Sequence, residues 1–202
     1  MIVPIGRWVL REACRQSAAR HNDGHEIGIS VDVSARQLDG DGLIEDVRAA
    51  LQASAMRPQR LTVEVTETTL MRDAQATVRR LHELKRLGVH IAIDDFGTGY
   101  SSLAYLPQFP VDALSVDRFF IAGIAESRES KALVHTLVQL GKTLGLETLG
   151  EGIEEAAQLR ELQRERCDPG QGFLFARPLA PEAVAKMFDT PPKAPAAVRV
   201  DQ

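Results

Sequence analysis

No apolar run in the 202-residue sequence approaches the ~18 residues that a membrane-spanning helix needs, and no signal peptide is expected ahead of the first amphipathic segment. There is no surplus of cations: 24 Lys and Arg stand against 28 Asp and Glu, a net charge of −4. That argues against a nucleic-acid binder, which needs cations to replace phosphate counterions, so no DNA partner is expected. The two cysteines, Cys14 and Cys167, fit no metal or redox spacing and read as small core residues in a reducing compartment. No G-x-G-x-x-G loop, P-loop, H-E-x-x-H or paired histidines occur. What is present is an ordinary globular composition, 44% hydrophobic and 26% charged, which excludes disorder for most of the chain. A cytoplasmic chain with one folded domain over 1–189 is expected, followed from Thr190 to Gln202 by a disordered, Pro/Ala-rich tail.

The hydrophobic period alternates between two and about 3.6. Ile27–Val33, Leu61–Val65, Ile91–Ile93, Ala113–Val116, Leu146–Leu149 and Gly172–Phe175 read as strands. Between most of them lie helical stripes: Leu43, Val47 and Leu51; Val78, Leu81 and Leu84 before a stop at Gly88; Leu133, Leu137, Leu140 and Leu144. Pro4–Ala19 reads as an opening amphipathic helix with Trp8 in the core. About six strands alternating with helices predict a mostly parallel α/β sheet. Without a dinucleotide-binding loop, a TIM-like (β/α) barrel is preferred, although closure normally takes eight strands.

The informative pattern is the placement of acids. Asp32, Glu64, Asp94, Asp95 and Asp117 sit in or at the ends of successive strands, and Glu151 follows the fifth. In a parallel barrel those ends converge on one rim. Carboxylates gathered there repel one another unless a cation compensates them. An all-oxygen set without His or Cys suits Mg²⁺ or Mn²⁺, and two such ions can clamp a phosphodiester. For Asp117 and Glu67, a helix cap or solvated rim residue is as good a reading as a place in the metal-binding set. Asp95-Phe96-Gly97 lacks the other protein-kinase motifs and is not read as one. The Gly- and Ser-rich stretch from Asp95 to Ser102 reads as a flexible rim loop.

The segment Asp94-Asp-Phe-Gly-Thr-Gly-Tyr-Ser-Ser-Leu103 resembles the hallmark loop of bacterial EAL domains, the cyclic di-GMP phosphodiesterases of bacterial signal transduction. The resemblance continues in Pro4-Ile-Gly-Arg-Trp-Val-Leu10, Val31-Asp-Val-Ser34, Glu64-Val-Thr-Glu67 and Pro110-Val-Asp-Ala-Leu114. Leu144-Gly-Leu146, Gly150-Glu-Gly-Ile-Glu154 and Gln171-Gly-Phe-Leu-Phe-Ala-Arg-Pro-Leu179 extend it, in the family's order, to about residue 180. It implies an α/β barrel with one antiparallel strand that hydrolyses cyclic di-GMP to linear pGpG with two divalent metals. By motif, Glu64, Asp94, Asp95 and Glu151 match metal ligands, and Glu151 also matches a proposed base. Glu154 and Gln171 match positions supporting the site or substrate, and Glu67 matches the anchor of the Asp-Asp loop. A homodimer, and a regulatory or cyclase domain upstream in a longer protein, are further expectations of the resemblance.

Three departures qualify it. The E-A-L glutamate and its arginine are expected some tens of residues before Pro4, so the chain from Met1 is expected to lack them together with the opening strands, or to be a fragment from a misplaced start. The family's metal-binding asparagine is Asp32 here, and the lysine of its L-K-[IV]-D motif is Ser115. Together these shift the formal site charge by −1. A preorganised cation beside the nucleophile is worth ~3–4 kcal/mol in the transition state, so weak or absent hydrolysis is expected. The alternative is a catalytically degenerate cyclic di-GMP receptor or protein-interaction module.

Overall fold

A computed structural model of the chain describes residues 1–98, 104–167 and 169–189. The expected tail, and Gly99–Leu103 of the rim loop, lie outside the described residues.

The elements run α1 (Ile2–Asn22), β1 (Ile29–Asp32), α2 (Ala35–Leu38), α3 (Leu43–Ser54), β2 (Leu61–Thr66), α4 (Glu67–Met71) and α5 (Ala74–Arg86). They continue with β3 (His90–Phe96), β4 (Ala113–Val116), α6 (Arg118–Ala122), α7 (Arg128–Leu144), β5 (Glu147–Gly150), α8 (Ala156–Arg164) and α9 (Pro181–Asp189). The five strands form one sheet in sequential order, every pair parallel, as helical crossovers require. This is the α/β arrangement of a TIM-like barrel left as an open sheet, with β1 and β5 as its outer strands among the described residues.

The pleat sorts the sheet's residues by chemistry. Val31, Leu61, Val63, Val65, Ile91, Ile93, Leu114 and Val116 are all buried in the two hydrophobic clusters under the helices. Successive side chains alternate between faces, so the other face carries Ser30, Asp32, Thr62, Glu64, Thr66, His90, Ala92, Asp94, Ala113, Ser115, Glu147 and Leu149. A packed barrel interior is normally filled with branched apolar side chains. Here that face is small or polar at every position but Leu149, so the acids inside apolar strands never enter the helix-covered core.

Local signals set several boundaries. Ser34 and Gln37 form a reciprocal capping box at α2. Asp73, Asp117 and Ser127 accept backbone N–H bonds at the starts of α5, α6 and α7. Gly88 takes a left-handed φ of +86° just past α5, which makes it the anticipated stop. Cys14 and Cys167 are both buried and unbridged. Among the described residues no helix is long and apolar enough to cross a membrane.

Three sequence expectations are corrected. Trp8 is 65% exposed. The buried stripe of α1 is Gly6, Leu10, Cys14 and Ser17, and two residues past Gly6 is about 200° around a helix. Gly6 is needed there because a Cβ would meet the Gln37 side chain at 2.1–2.5 Å. The buried positions of α7 are Val134, Val138 and Gly141, with Leu133 on the solvent side and Leu137, Leu140 and Leu144 on the flanks. Gly172–Phe175 is a turn rather than a sixth strand. Phe175 N–H donates to the Gly172 carbonyl at 3.1 Å, Leu174 N–H donates to Ile153, and pairing with β5 is confined to one bridge, Gly150 to Gly170.

Trp8 is the only tryptophan, so its placement is directly measurable. The folded chain should show solvent-like indole emission, quenched by acrylamide nearly as readily as free tryptophan amide. A blue-shifted, protected emission would restore Trp8 to the core.

Candidate active site

The site forms where the polar face of the sheet meets the strand ends. Asp32 and Glu64 are register partners on β1 and β2, and Thr66 pairs with Asp94 on β3. At the end of β3 the register against β4 shifts between Ile93 and Phe96. Such an irregularity lets neighbours that would point to opposite faces share one. Asp95 takes a left-handed φ of 54°, which Asp tolerates better than most residues, and its N–H donates to Asp94 Oδ1 at 2.8 Å. At the start of α4, just past β2, Glu67 is 5% exposed and its Oε2 accepts the Gly97 N–H at 2.9 Å. That bond ties the start of α4 to the loop after the two aspartates.

Glu151 follows β5, its N–H held by the Val116 carbonyl at 3.0 Å. Gln171 is brought alongside by backbone bonds on both sides, N–H to Gly150 at 2.9 Å and carbonyl from Ile153 at 3.0 Å. This approach requires Gly172: a Cβ there would lie 2.1 Å from the Ile153 carbonyl oxygen. Glu154 is different. Its side chain is exposed, and its N–H donates to Gln158 Oε1 at 2.8 Å.

The electrostatics show which acids share a field. Burial is the main reason that Glu64, Asp94, Asp95 and Glu151 are all held above the ordinary carboxylate range. Their mutual repulsion adds to it: Asp32 and Asp94 act on Glu64, Asp32 and Asp117 on Asp94, and Asp94 and Glu64 on Glu151. Glu151 is pushed up to about 7, with Ser115 and Gln171 opposing the shift from beside it. The Ser115 hydroxyl, 1% exposed, lies near Glu151 without completing a well-formed hydrogen bond among the described residues. Asp117 was the acid whose strand-end position was ambiguous. It caps α6 by accepting Phe119 N–H at 2.8 Å, and its charge also raises Asp95 and Asp94.

Glu64, Asp94 and Glu151 therefore face one mouth, joined by Asp32, Asp95 and Asp117. Among the described residues no three His, Cys, Asp or Glu side chains are placed so that they could hold a metal ion as they stand. The donor chemistry nevertheless fits a hard divalent ion: every group is a carboxylate, and each is destabilised by the charge of its neighbours.

Glu67→Gln tests the loop anchor. The amide keeps an acceptor for Gly97 N–H but loses the charge, so stability should fall by about 1 kcal/mol with the fold retained. Urea unfolding with an unchanged slope is the measurement, and no shift in midpoint would show that the bond carries nothing.

The EAL domain family profile matches residues 1–178. The bifunctional diguanylate cyclase/cyclic di-GMP phosphodiesterase MucR of Pseudomonas aeruginosa is 46% identical over 183 residues, 90% of this chain and 27% of that protein. The cyclic di-GMP phosphodiesterase NbdA of the same organism is 40% identical over 198 residues, 95% of this chain and 25% of that protein. The chain thus spans about a quarter of the length of these curated relatives. The solved structure of the PaMucR phosphodiesterase in complex with c-di-GMP matches with a TM-score of 0.87 and 46% identity, covering 91% of this chain and 74% of that one. Sheet order, clustered acids and sequence agree, and the chain belongs to the EAL-domain family of cyclic di-GMP phosphodiesterases.

Proposed function

We propose that this chain binds cyclic di-GMP across the acidic mouth and hydrolyses it weakly or not at all. Ser115 carries the reading. It lies beside Glu151, on the face of β4 that looks toward the mouth, and it places a neutral hydroxyl where the family's motif has a lysine.

In this reading Glu64, Asp94, Asp95 and Glu151, with Asp32, would hold two Mg²⁺ or Mn²⁺ ions. When bound, such ions polarise a phosphodiester and acidify a water. Glu151, with its affinity for a proton near neutrality, is suited to accept one at a carboxylate oxygen. Gln171, placed beside it by the Gly150 and Ile153 backbone, is suited to orient the carboxylate or the substrate. Glu67 keeps the two aspartates in register with the mouth. None of these groups supplies a fixed positive charge to the developing transition state, which is why slow chemistry accompanies retained binding.

Two assays decide it. Calorimetric titration with cyclic di-GMP in Ca²⁺ should give saturable binding. Incubation with Mg²⁺ or Mn²⁺ should give linear product at a rate at least about 10²-fold below an intact EAL phosphodiesterase. Turnover at the intact rate would defeat the proposal, as would a folded chain that fails to bind.

A further inference from the structure

Below the carboxylate mouth, on the same polar face of the sheet, lies a cavity of about 180 Å³. Ser30, Thr62, Glu64, Ala92, Ser115 and Glu147 contribute to its wall. It exists because Ala and Ser stand where a barrel interior normally carries branched apolar side chains. Its polar lining is oxygen, apart from the His90 ring at the exposed lower end.

The charges around it do not cancel. Asp112 is matched, since Lys85 Nζ sits 2.7 and 2.8 Å from its two carboxylate oxygens and Ile91 N–H donates to it at 2.8 Å. Glu147 is exposed to water. Glu64 is half-buried and has no cationic partner among the described residues. Facing the same space is the buried Ser115 Oγ, which lies near Glu151 but completes no well-formed hydrogen bond among the described residues. A buried hydroxyl left unpaired costs free energy, and a space of this size with oxygen donors among its apolar walls can take a guest that satisfies it.

We infer that this cavity is a binding site for a small monovalent cation, potassium or ammonium, held by the Glu64 carboxylate and the hydroxyl oxygens of Ser115, Thr62 and Ser30. One uncompensated carboxylate with several neutral oxygens matches a single positive charge. Mg²⁺, by contrast, is strongly hydrated and is usually held by carboxylates with several retained waters. The site shares Glu64 with the mouth above it, and the inference rests on the geometry around Ser115 rather than on hydrolysis by the chain.

The test uses the full chain with EDTA present and ionic strength held constant. Thallous ion serves as the probe for potassium, followed by ²⁰⁵Tl NMR, and the unfolding midpoint is compared in potassium, ammonium and tetramethylammonium chloride. A bound thallium signal displaced by potassium is expected, together with stabilisation by potassium and ammonium over tetramethylammonium. Ser115→Ala, which keeps the space and removes one oxygen, should weaken binding about fivefold. Ser115→Lys, which fills the space with a tethered ammonium, should abolish it. Equal midpoints in all three salts without a bound thallium signal would show that the cavity holds water alone and overturn the inference. A response undiminished in Ser115→Ala, or surviving in a folded Ser115→Lys, would overturn it equally.

Discussion

Ser115→Lys is expected to raise cyclic di-GMP hydrolysis by about 10²–10³-fold, the usual worth of one preorganised charge at a developing oxyanion. The side chain at 115 projects from the open face of β4, between the cavity below and Glu151 above. Small neighbours at Ala92 and Ala113 leave room for a lysine stem, and the clustered carboxylates would keep its ammonium charged. The ammonium would also draw Glu151 back toward ordinary carboxylate behaviour, so the pH at which activity rises should move to lower values. Product formation in Mg²⁺ or Mn²⁺ across pH 5–9 reads both effects. A correctly folded Ser115→Lys chain with no gain in rate would show that the missing charge is not what limits the chemistry.

Stability of the metal-free chain should fall as the pH rises from about 4.5 to about 7, the reverse of the usual behaviour of paired carboxylates. The sign follows from the direction of the shifts. Glu64, Asp94, Asp95 and Glu151 all bind protons more tightly in the folded chain than in the unfolded one. Protonation therefore favours the folded state, and that contribution is lost as pH climbs through the folded values, the highest being about 7 for Glu151. All four groups are only partly buried, so solvent screening leaves roughly 1 kcal/mol per carboxylate or less and about 2–3 kcal/mol for the set. That corresponds to about 5–10 °C in the unfolding midpoint for a chain of this size. Millimolar Mg²⁺ at pH 7.5 should recover most of the loss by supplying the absent counter-charge. A midpoint flat between pH 4.5 and 7 in EDTA, with no response to Mg²⁺, would show that the acids do not share a field.

Much of this was legible in the residues themselves. Period-two runs located all five strands, and Ala113–Val116 was found to the residue. The alternation of Thr62, Glu64 and Thr66 with buried Leu61, Val63 and Val65 already contained the two-faced sheet. Trp8 and the Leu133 stripe misled because α1 and α7 carry apolar residues on more than one face, and bulk alone does not say which face the sheet takes. Gly172–Phe175 misled because its alternating pattern is satisfied by local turn bonds. The double role of Asp117 and the unpaired state of Ser115 depend on long-range placement that no local pattern encodes.

The division of the sheet into an oily side and a wet side also separates two kinds of selection. Exchanges on the side turned away from the helices, such as Ser at 115 or Asp at 32, leave the clusters that hold the chain together untouched. Reactivity can thus drift, lapse and be regained in this scaffold without passing through an unfolded ancestor, which gives a lineage freedom to turn a hydrolytic domain into a sensor and back.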